Sequence, residues 1–383
     1  YVEKESSAST KVRVVTNSSV KRQGGSFNDL CLKGSNLMNS SIDILLGFSC
    51  YSNCLMTDLS EAYRSIHTGP VTNSCRRFFW FRDINDESSL VEMMFTCATF
   101  GDKAAGNFLA QGRNIVAEDH RVSAFARDFI KMKFFVDDGL TSSQSRQKLL
   151  MLAEELPKVF GFYGFQVKHV ILSFVQSSGM TLSDSLERCL GIIWNFVNDE
   201  FTPALEVYLS RKIRGAHADD QLKLDMVEPC VPTKRLVLRV VGSLHDITGR
   251  HLCPIQVKAR IIYARVCAAA KDKGWDDPIE CPETVRDIKT LLCDIIKVKS
   301  NFVPQTRAWI PQGYKLDMFI GPFDGGIEGL GAGVYARSVS DGDDDLAPQC
   351  NLAAARAKVS SLDVGDNELL ASLLQARLAE VVV

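Results

Sequence analysis

Two adjacent carboxylates and a glycine break an apolar run at Phe134-Phe135-Val136-Asp137-Asp138-Gly139-Leu140. Asp-Asp-Gly between apolar flanks reads as a tight hairpin turn, because Asp and Gly tolerate the backbone angles that such turns need. A hairpin of this kind lifts two carboxylates side by side to the edge of a sheet. By itself the segment is a solvated turn; a third acid upstream changes the reading. In Asn53-Cys54-Leu55-Met56-Thr57-Asp58 a short apolar strand also ends on a carboxylate. Three carboxylates at strand ends suit a two-metal phosphoryl-transfer site, where two divalent cations about 3.5–4 Å apart must be neutralised yet stay open to phosphates. Hard oxygen ligands and substrate phosphates favour Mg²⁺ or Mn²⁺ over Zn²⁺.

Several elements must position these acids. Lys11-Val12-Arg13-Val14-Val15 alternates basic and apolar residues, as an edge strand does, behind a polar stretch over residues 1–10. Lys11 and Arg13 lie two apart on that strand, so they share a face and can clamp phosphate oxygens. Ser41 to Leu46 predicts a short apolar helix leading to the Asp58 strand, and Ser60 to Ile66 a helix after it with Ala62 and Ile66 on one face. Phe78 to Phe81 and Leu90 to Phe95 flank a polar loop and read as a hairpin. Thr141-Ser142-Ser143 offers N-caps for a helix carrying Leu149, Leu152 and Leu156, with its end expected near Pro157. From Thr233 to Pro278 the pattern turns helical after Pro229 and Pro232. Strands at Leu316–Ile320, Gly331–Arg337 and Ala355–Val359 then precede a helix opened by Asp366-Asn367-Glu368. Gly329-x-Gly331-x-Gly333 lacks the helix that a dinucleotide-binding turn requires.

The chain has 383 residues, enough for two or three compact units. No apolar run reaches the ~18 residues needed to cross a bilayer, no signal peptide opens the chain, and Tyr1 in place of Met suggests a fragment or a processed piece. Twelve Cys without paired C-x-x-C spacing, and only six His, suggest neither a disulfide framework nor a zinc site. Cys50-x3-Cys54 and His245-x5-His251-x-Cys253 are the nearest candidates, against buried thiols and surface imidazoles. Reduced cysteines imply an intracellular location, cytoplasmic or nuclear. The net charge of −2 is not that of a general nucleic-acid coat. Any grip on a polyanion rests on local patches: Arg76-Arg77, Arg121 with Arg127, Lys131 and Lys133, the Arg211-Lys212-Ile213-Arg214 run, and Lys234-Arg235 with Arg239.

Phe135-Val136-Asp137-Asp138 resembles the Tyr-x-Asp-Asp box of reverse transcriptases, and Asp58 through Tyr63 resembles their first catalytic motif. Arg77-Phe78-Phe79-Trp80 and the segments around Lys11, Ser18 and Gly25 are similar to those of BEL/Pao-type retrotransposons, with Asn17 standing where an Asp is expected. The resemblance implies incoming-nucleotide contacts at Lys11 and Arg13. It implies a sugar-sensing aromatic at Tyr63, which reads equally as a core aromatic. Gly101 occupies the second motif, where backbone approaches the template–primer and Ala104-Ala105 replaces the usual Ser-Pro. Lys168 in Gly164-Phe165-Gln166-Val167-Lys168 would donate a proton to leaving pyrophosphate. Cys189-Leu190-Gly191-Ile192-Ile193-Trp194 resembles the strand leading into the primer grip. Asp246-Ile247-Thr248-Gly249 stands where the family tends to have Asp-Pro-Leu-Gly; without an Asp-Thr-Gly or Asp-Ser-Gly box, proteolysis is rejected. Asp324 and Glu368 fall where a ribonuclease H domain has its first acid and its helix acid, but the chain stops at Val383, before the remaining acids.

The expected fold is therefore α+β: a right-hand polymerase with a ferredoxin-like palm sheet, then a helical thumb or connection, then a partial ribonuclease H-like α/β unit. The expected boundaries are residues 1–228, 229–312 and 313–383. The expected activity is RNA-directed DNA synthesis within a retrotransposon polyprotein. Asp58, Asp137 and Asp138 would hold Mg²⁺ (or Mn²⁺), with an RNA template, a DNA primer and deoxynucleoside triphosphates as partners and no membrane. A cytoplasmic virus-like particle or the nucleus would house it, and the oligomeric state stays open. The alternative is a decayed or domesticated relative that binds nucleic acid without synthesis.

Overall fold

The computed structural model describes residues 2–3, 12–13, 16–21, 24–175, 185–209, 221–342, 345–360 and 363–382, with the backbone alone at 2–3 and 12–13. Lys11 and the run 211–214 lie outside the described residues. The chain divides into two compact units, one of residues 1–40, 55–141 and 145–171, the other of residues 41–54, 142–144 and 172–383.

The first unit begins with a two-residue antiparallel ribbon, β1 (Val2–Glu3) with β2 (Val12–Arg13). Helix α1 (Phe27–Leu30) is started by a capping box in which Ser26 and Asp29 satisfy each other's backbone N–H groups. Next come α2 (Ser41–Phe48), which belongs to the second unit, and β3 (Asn53–Ser60). After a short helix α3 (Pro70–Ser74), β4 (Arg77–Phe81) and β5 (Leu90–Met94) form the expected hairpin. Helices α4 (Ala105–Ala117) and α5 (Ala124–Met132) follow, then β6 (Phe134–Phe135), β7 (Asp138–Ser143), α6 (Arg146–Phe162) and β8 (Gln166–Leu172).

Strands β6, β7, β3 and β8 lie in that order in one sheet. β3 sits inside it, with its first five residues buried, which is why its sequence is apolar without alternation. Leu149, Leu152, Leu156 and Phe160 form the buried stripe of α6. A chain of edge-on rings, Phe129–Phe134–Phe160–Phe165, with centroids 5.2, 5.7 and 5.8 Å apart, fills the core beneath the β6–β7 hairpin.

Four local expectations are corrected here. The segment after Asp58 is not an α-helix: β3 runs to Ser60, Glu61 turns left-handed at φ 48°, and Ala62–Ser65 make one 3₁₀ turn. The cap of α6 is Ser145, which accepts from the Lys148 N–H, because residues 141–143 are spent in β7. That helix also runs through Pro157 to Phe162; burial of Leu156 and Phe160 on either side outweighs one lost backbone bond. Finally, Cys189 to Trp194 is a hairpin rather than one strand. Leu190 and Gly191 are both left-handed (φ 47° and 91°), and a Cβ on Gly191 would meet the His245 ring at 2.0 Å.

In the second unit, β9 (Leu186–Cys189), β10 (Ile192–Asn195) and β11 (Glu200–Pro203) form an antiparallel sheet. Helices α7 (Lys234–Ser243), α8 (Cys253–Ala269) and α9 (Pro282–Ser300) share a core that includes Val237, Ile262 and Leu292. Strand β12 (Gln305–Thr306) then joins the sheet beside β11. The Asp246 carboxylate caps α8's approach, accepting from the N–H groups of Gly249, His251 and Leu252 at 2.9, 2.7 and 2.8 Å. Gly249 (φ 71°) carries no side chain because a Cβ would overlap the Ala355 carbonyl.

The unit ends in β13 (Tyr314–Ile320), β14 (Phe323–Gly325), β15 (Gly329–Ser340), β16 (Gln349–Val359) and α10 (Val364–Val382). β13 and β14 pair with successive stretches of one edge of β15, and β16 pairs with the other. α10 covers the Leu330, Ala332, Val334 and Ala336 face. Gly331 and Gly333 lie within β15, not in a nucleotide-binding turn. All twelve cysteines are unbridged, and among the described residues no helix is long and apolar enough to cross a membrane.

Candidate active site

Asp58, Asp137 and Asp138 present carboxylate oxygens within 4.8 Å of one another, and no other group of three or more such ligands occurs among the described residues. β3 delivers Asp58 from the sheet's interior. The β6–β7 hairpin delivers the other two, although its turn is not where the sequence placed it. Phe135 pairs with Asp138 and Phe134 with Gly139, so the two turn residues are Val136 and Asp137. Val136 takes the left-handed angle (φ 56°), and Asp138 already belongs to β7. Gly139 is needed for space rather than for turning: a Cβ there would lie 2.7 Å from Phe134 Cζ and 2.9 Å from Thr57 Cγ2. The turn is docked to β3 by the Leu59 N–H donating to the Asp137 carbonyl at 3.1 Å. From behind, the Asn39 amide donates to the Lys131 and Phe134 carbonyls at 2.8 and 2.9 Å.

Three half-buried carboxylates this close repel one another strongly, and hard oxygen donors in this number fit a divalent cation such as Mg²⁺ or Mn²⁺. Lys168 on β8 approaches the cluster, with Nζ 3.5 Å from Asp58 Oδ2 and its side chain half exposed. Tyr63, in the 3₁₀ turn after β3, packs edge-on against Phe100 at 4.8 Å, and burial and the Asp137 carboxylate push its phenol pKa up.

Gly101, Arg13, Asp324 and Glu368 are the other expected site residues. Gly101 is left-handed (φ 101°), and its missing side chain admits backbone of the chain itself, since a Cβ would lie 2.5 Å from the Thr16 carbonyl oxygen. Only the backbone of Arg13 is described. Asp324 on β14 and Glu368, just past the first turn of α10, are exposed, and the backbones carrying them are in contact: a Cβ on Gly325 would meet Glu368 N at 2.4 Å.

Several basic residues read as patches are committed within the chain. Arg76 is buried and pairs with Asp102 at 2.8 Å, Arg77 pairs with Glu92 at 2.8 Å, and Lys131 pairs with Glu118. Arg121 chelates Asp119 and stacks on Phe162, and Arg235 holds Asp276 in a two-pronged contact at 2.6 and 2.9 Å. Lys234 donates to the carbonyls of Ala270 and Lys273.

Sequence reasoning missed two arginines. Arg113 on α4 is 2 % exposed, lies over the Phe134 ring at 5.1 Å, and interacts electrostatically with Asp137 and Tyr63. Burial pushes its pKa down to about 10, against the pull of Asp137. Its position four residues after Leu109 and three before Val116, on the buried face of α4, is the sequence signal that could have found it. Arg307, in the second unit, is fully buried against Asp199 with no local signal at all.

No protein-family model matches the sequence, and no curated protein matches it. Solved structures do. A foamy viral protease-reverse transcriptase in complex with an RNA/DNA hybrid aligns over 91 % of this chain at TM-score 0.51 and 12 % identity. Its dRH form with double-stranded DNA aligns over 91 % at TM-score 0.52 and 12 % identity, and another complex with double-stranded DNA over 92 % at 0.51 and 12 %. This chain covers 39 %, 51 % and 60 % of those chains. With mixed helices and strands aligned over nine-tenths of its length, the chain has a retroviral-like reverse transcriptase fold.

Proposed function

We propose that this chain is an RNA-directed DNA polymerase that transfers a nucleotide to a primer 3′ end, and that it is of BEL/Pao retrotransposon type. One observation carries the activity: Asp58, Asp137 and Asp138 gather within 4.8 Å on neighbouring strands of a reverse-transcriptase fold. Bound there, Mg²⁺ or Mn²⁺ would supply charge stabilisation for the attacking 3′-oxygen and the leaving pyrophosphate oxygen. The protein's part is placement. β3 and the β6–β7 hairpin fix the three carboxylates, Tyr63 borders the sugar, and Lys168 stands beside Asp58 to give a proton to departing pyrophosphate. Lys11 and Arg13 belong to the triphosphate grip in this reading, and Gly101 to the template–primer segment. α7 to α9 would serve as the thumb or connection, and β13 to α10 as a ribonuclease H-like unit bearing Asp324 and Glu368. An RNA template, a DNA primer and deoxynucleoside triphosphates are the partners, and the reaction belongs inside a cell.

A second reading, a reverse-transcriptase fold that holds nucleic acid without synthesis, is favoured by the internal pairing of Arg76, Arg77, Arg121 and Arg235. Primer extension on an RNA template with and without Mg²⁺ separates the two. Extension should require the metal, and Asp137→Asn should lower its rate by several orders of magnitude. Extension by that variant at the unsubstituted rate refutes the assignment.

A further inference from the structure

Arg113 is an odd residue to bury. The residue is 2 % exposed, and its buried Nε and Nη1 have no hydrogen-bond partner. A desolvated cation with unmet donors is costly unless nearby negative charge offsets it. Its position is tightly set. The preceding Gly112 has no room for a side chain, since a Cβ would lie 2.8 Å from Ile66 Cδ1 and 3.3 Å from Phe165 Cζ, so α4 is pressed against both. The guanidinium is thereby held over Phe134, at the foot of the hairpin that carries Asp137 and Asp138. The groups acting on it electrostatically are Asp137 and the Tyr63 phenol, one a member of the carboxylate cluster and the other its neighbour.

We propose that Arg113 is a resident counter-cation of the Asp58–Asp137–Asp138 cluster: it offsets the carboxylates' mutual repulsion when no metal is bound, and so lowers the site's affinity for divalent cations. This rests on the metal-binding reading above. Arg113 touches no reacting atom and acts through Asp137, as a positioning residue. A fixed positive charge in a weakly polar interior is little screened, so it acts on an ion in the cluster as well as on the carboxylates. Neutralising it has two opposite consequences. The metal-free protein loses stability because three carboxylates face one another with one fewer buried cation beside them, the half-exposed Lys168 at Asp58 remaining. The metal-bound protein gains, because the ion no longer shares the site with a cation.

The test is Mn²⁺ binding at neutral pH, read from the electron paramagnetic resonance of free Mn²⁺, without nucleotide or nucleic acid. The proteins are the unsubstituted chain, Arg113→Met, Arg113→Gln, Arg113→Lys and Asp137→Asn; thermal melts with and without Mn²⁺ accompany the titrations. The two neutral variants should bind Mn²⁺ about tenfold or more tightly than the unsubstituted chain. They should also melt lower without metal and gain more from saturating Mn²⁺. Arg113→Lys, which keeps the charge and loses the shape, should bind as the unsubstituted chain does. Equal or weaker binding by the neutral variants overturns the proposal, as does a Lys variant that behaves like Met. Failure of both neutral variants to fold in saturating Mn²⁺ overturns it too, because the ion should replace the missing charge. If Mn²⁺ binding that Asp137→Asn removes is seen in none of the proteins, the metal-site reading falls as well; equal binding in the unsubstituted chain and the neutral variants removes only the role of Arg113.

Discussion

Arg307→Met tests how far one buried charge holds the second unit together. Arg307 is 0 % exposed, and its guanidinium contacts both Asp199 oxygens, Nε to Oδ1 at 2.6 Å and Nη2 to Oδ2 at 2.9 Å. It also donates to the carbonyls of Phe48, Tyr51 and Ser52, the last residues before β3, and lies over the Phe48 ring at 4.8 Å. Methionine keeps the stem and its packing but removes every one of these donors. Breaking a buried charge pair by deleting one partner costs about 3–5 kcal/mol. Water reaching Asp199, whose side chain is 22 % exposed, places the loss toward the lower end of that range. Even so, it is a large share of the roughly 5–15 kcal/mol by which domains are stable. Asp199 keeps the Trp194 indole N–H at 3.0 Å, so the cost is shared between a carboxylate that has lost its cation and the three carbonyls that have lost a donor. Asp199→Asn in the same chain should therefore recover part of it, and asparagine tolerates the left-handed backbone at that position (φ 54°). The assay is urea unfolding of the two single variants and the double variant, followed by far-ultraviolet circular dichroism. A loss under about 1 kcal/mol for Arg307→Met, or a double variant no better than the sum of the singles, would refute the reasoning.

Gly139→Ala should cost about 1–3 kcal/mol, because the added methyl overlaps the Phe134 ring and Thr57; an unchanged melting temperature would show that β7 can shift freely. Tyr63→Val should raise ribonucleotide over deoxynucleotide incorporation if the ring borders the sugar; an unchanged ratio in a less stable protein would make Tyr63 a core aromatic packed on Phe100. Burial holds the His251 pKa down at about 4, against Asp246 and helped by Arg250, whereas the unfolded value is 6.5. The unfolded chain thus binds a proton that the native one refuses, so stability falls as pH drops from 6.5 towards 4. His251→Phe should flatten that slope in urea unfolding across this window, and an unaltered slope would assign it to other groups.

The sequence by itself singled out the three carboxylates that the structure brings within 4.8 Å of one another, because an acid on an apolar run and an Asp-Asp-Gly segment are local signals, and local signals survive without coordinates. The β4–β5 hairpin, α2, and β13, β15, β16 and α10 of the last segment were legible for the same reason, alternation and apolar periodicity reporting which face of an element is covered, whereas the three-residue β14 that carries Asp324 was too short to read. Where packing overrides local preference, only the tertiary structure decided. Val136 rather than Gly139 takes the left-handed angle because Gly139 must pass between Phe134 and Thr57. Pro157 stays inside α6 because Leu156 and Phe160 are buried around it. Gly101 serves a contact with Thr16, a residue far upstream in the chain. The buried arginines were the least legible. Helical spacing could signal that Arg113 is buried but not that Asp137 acts on it, Arg307 has no local signal at all, and each interaction joins residues far apart in sequence. Charge pairing over such separations is set by the path of the backbone through space, and no periodicity in the sequence encodes it.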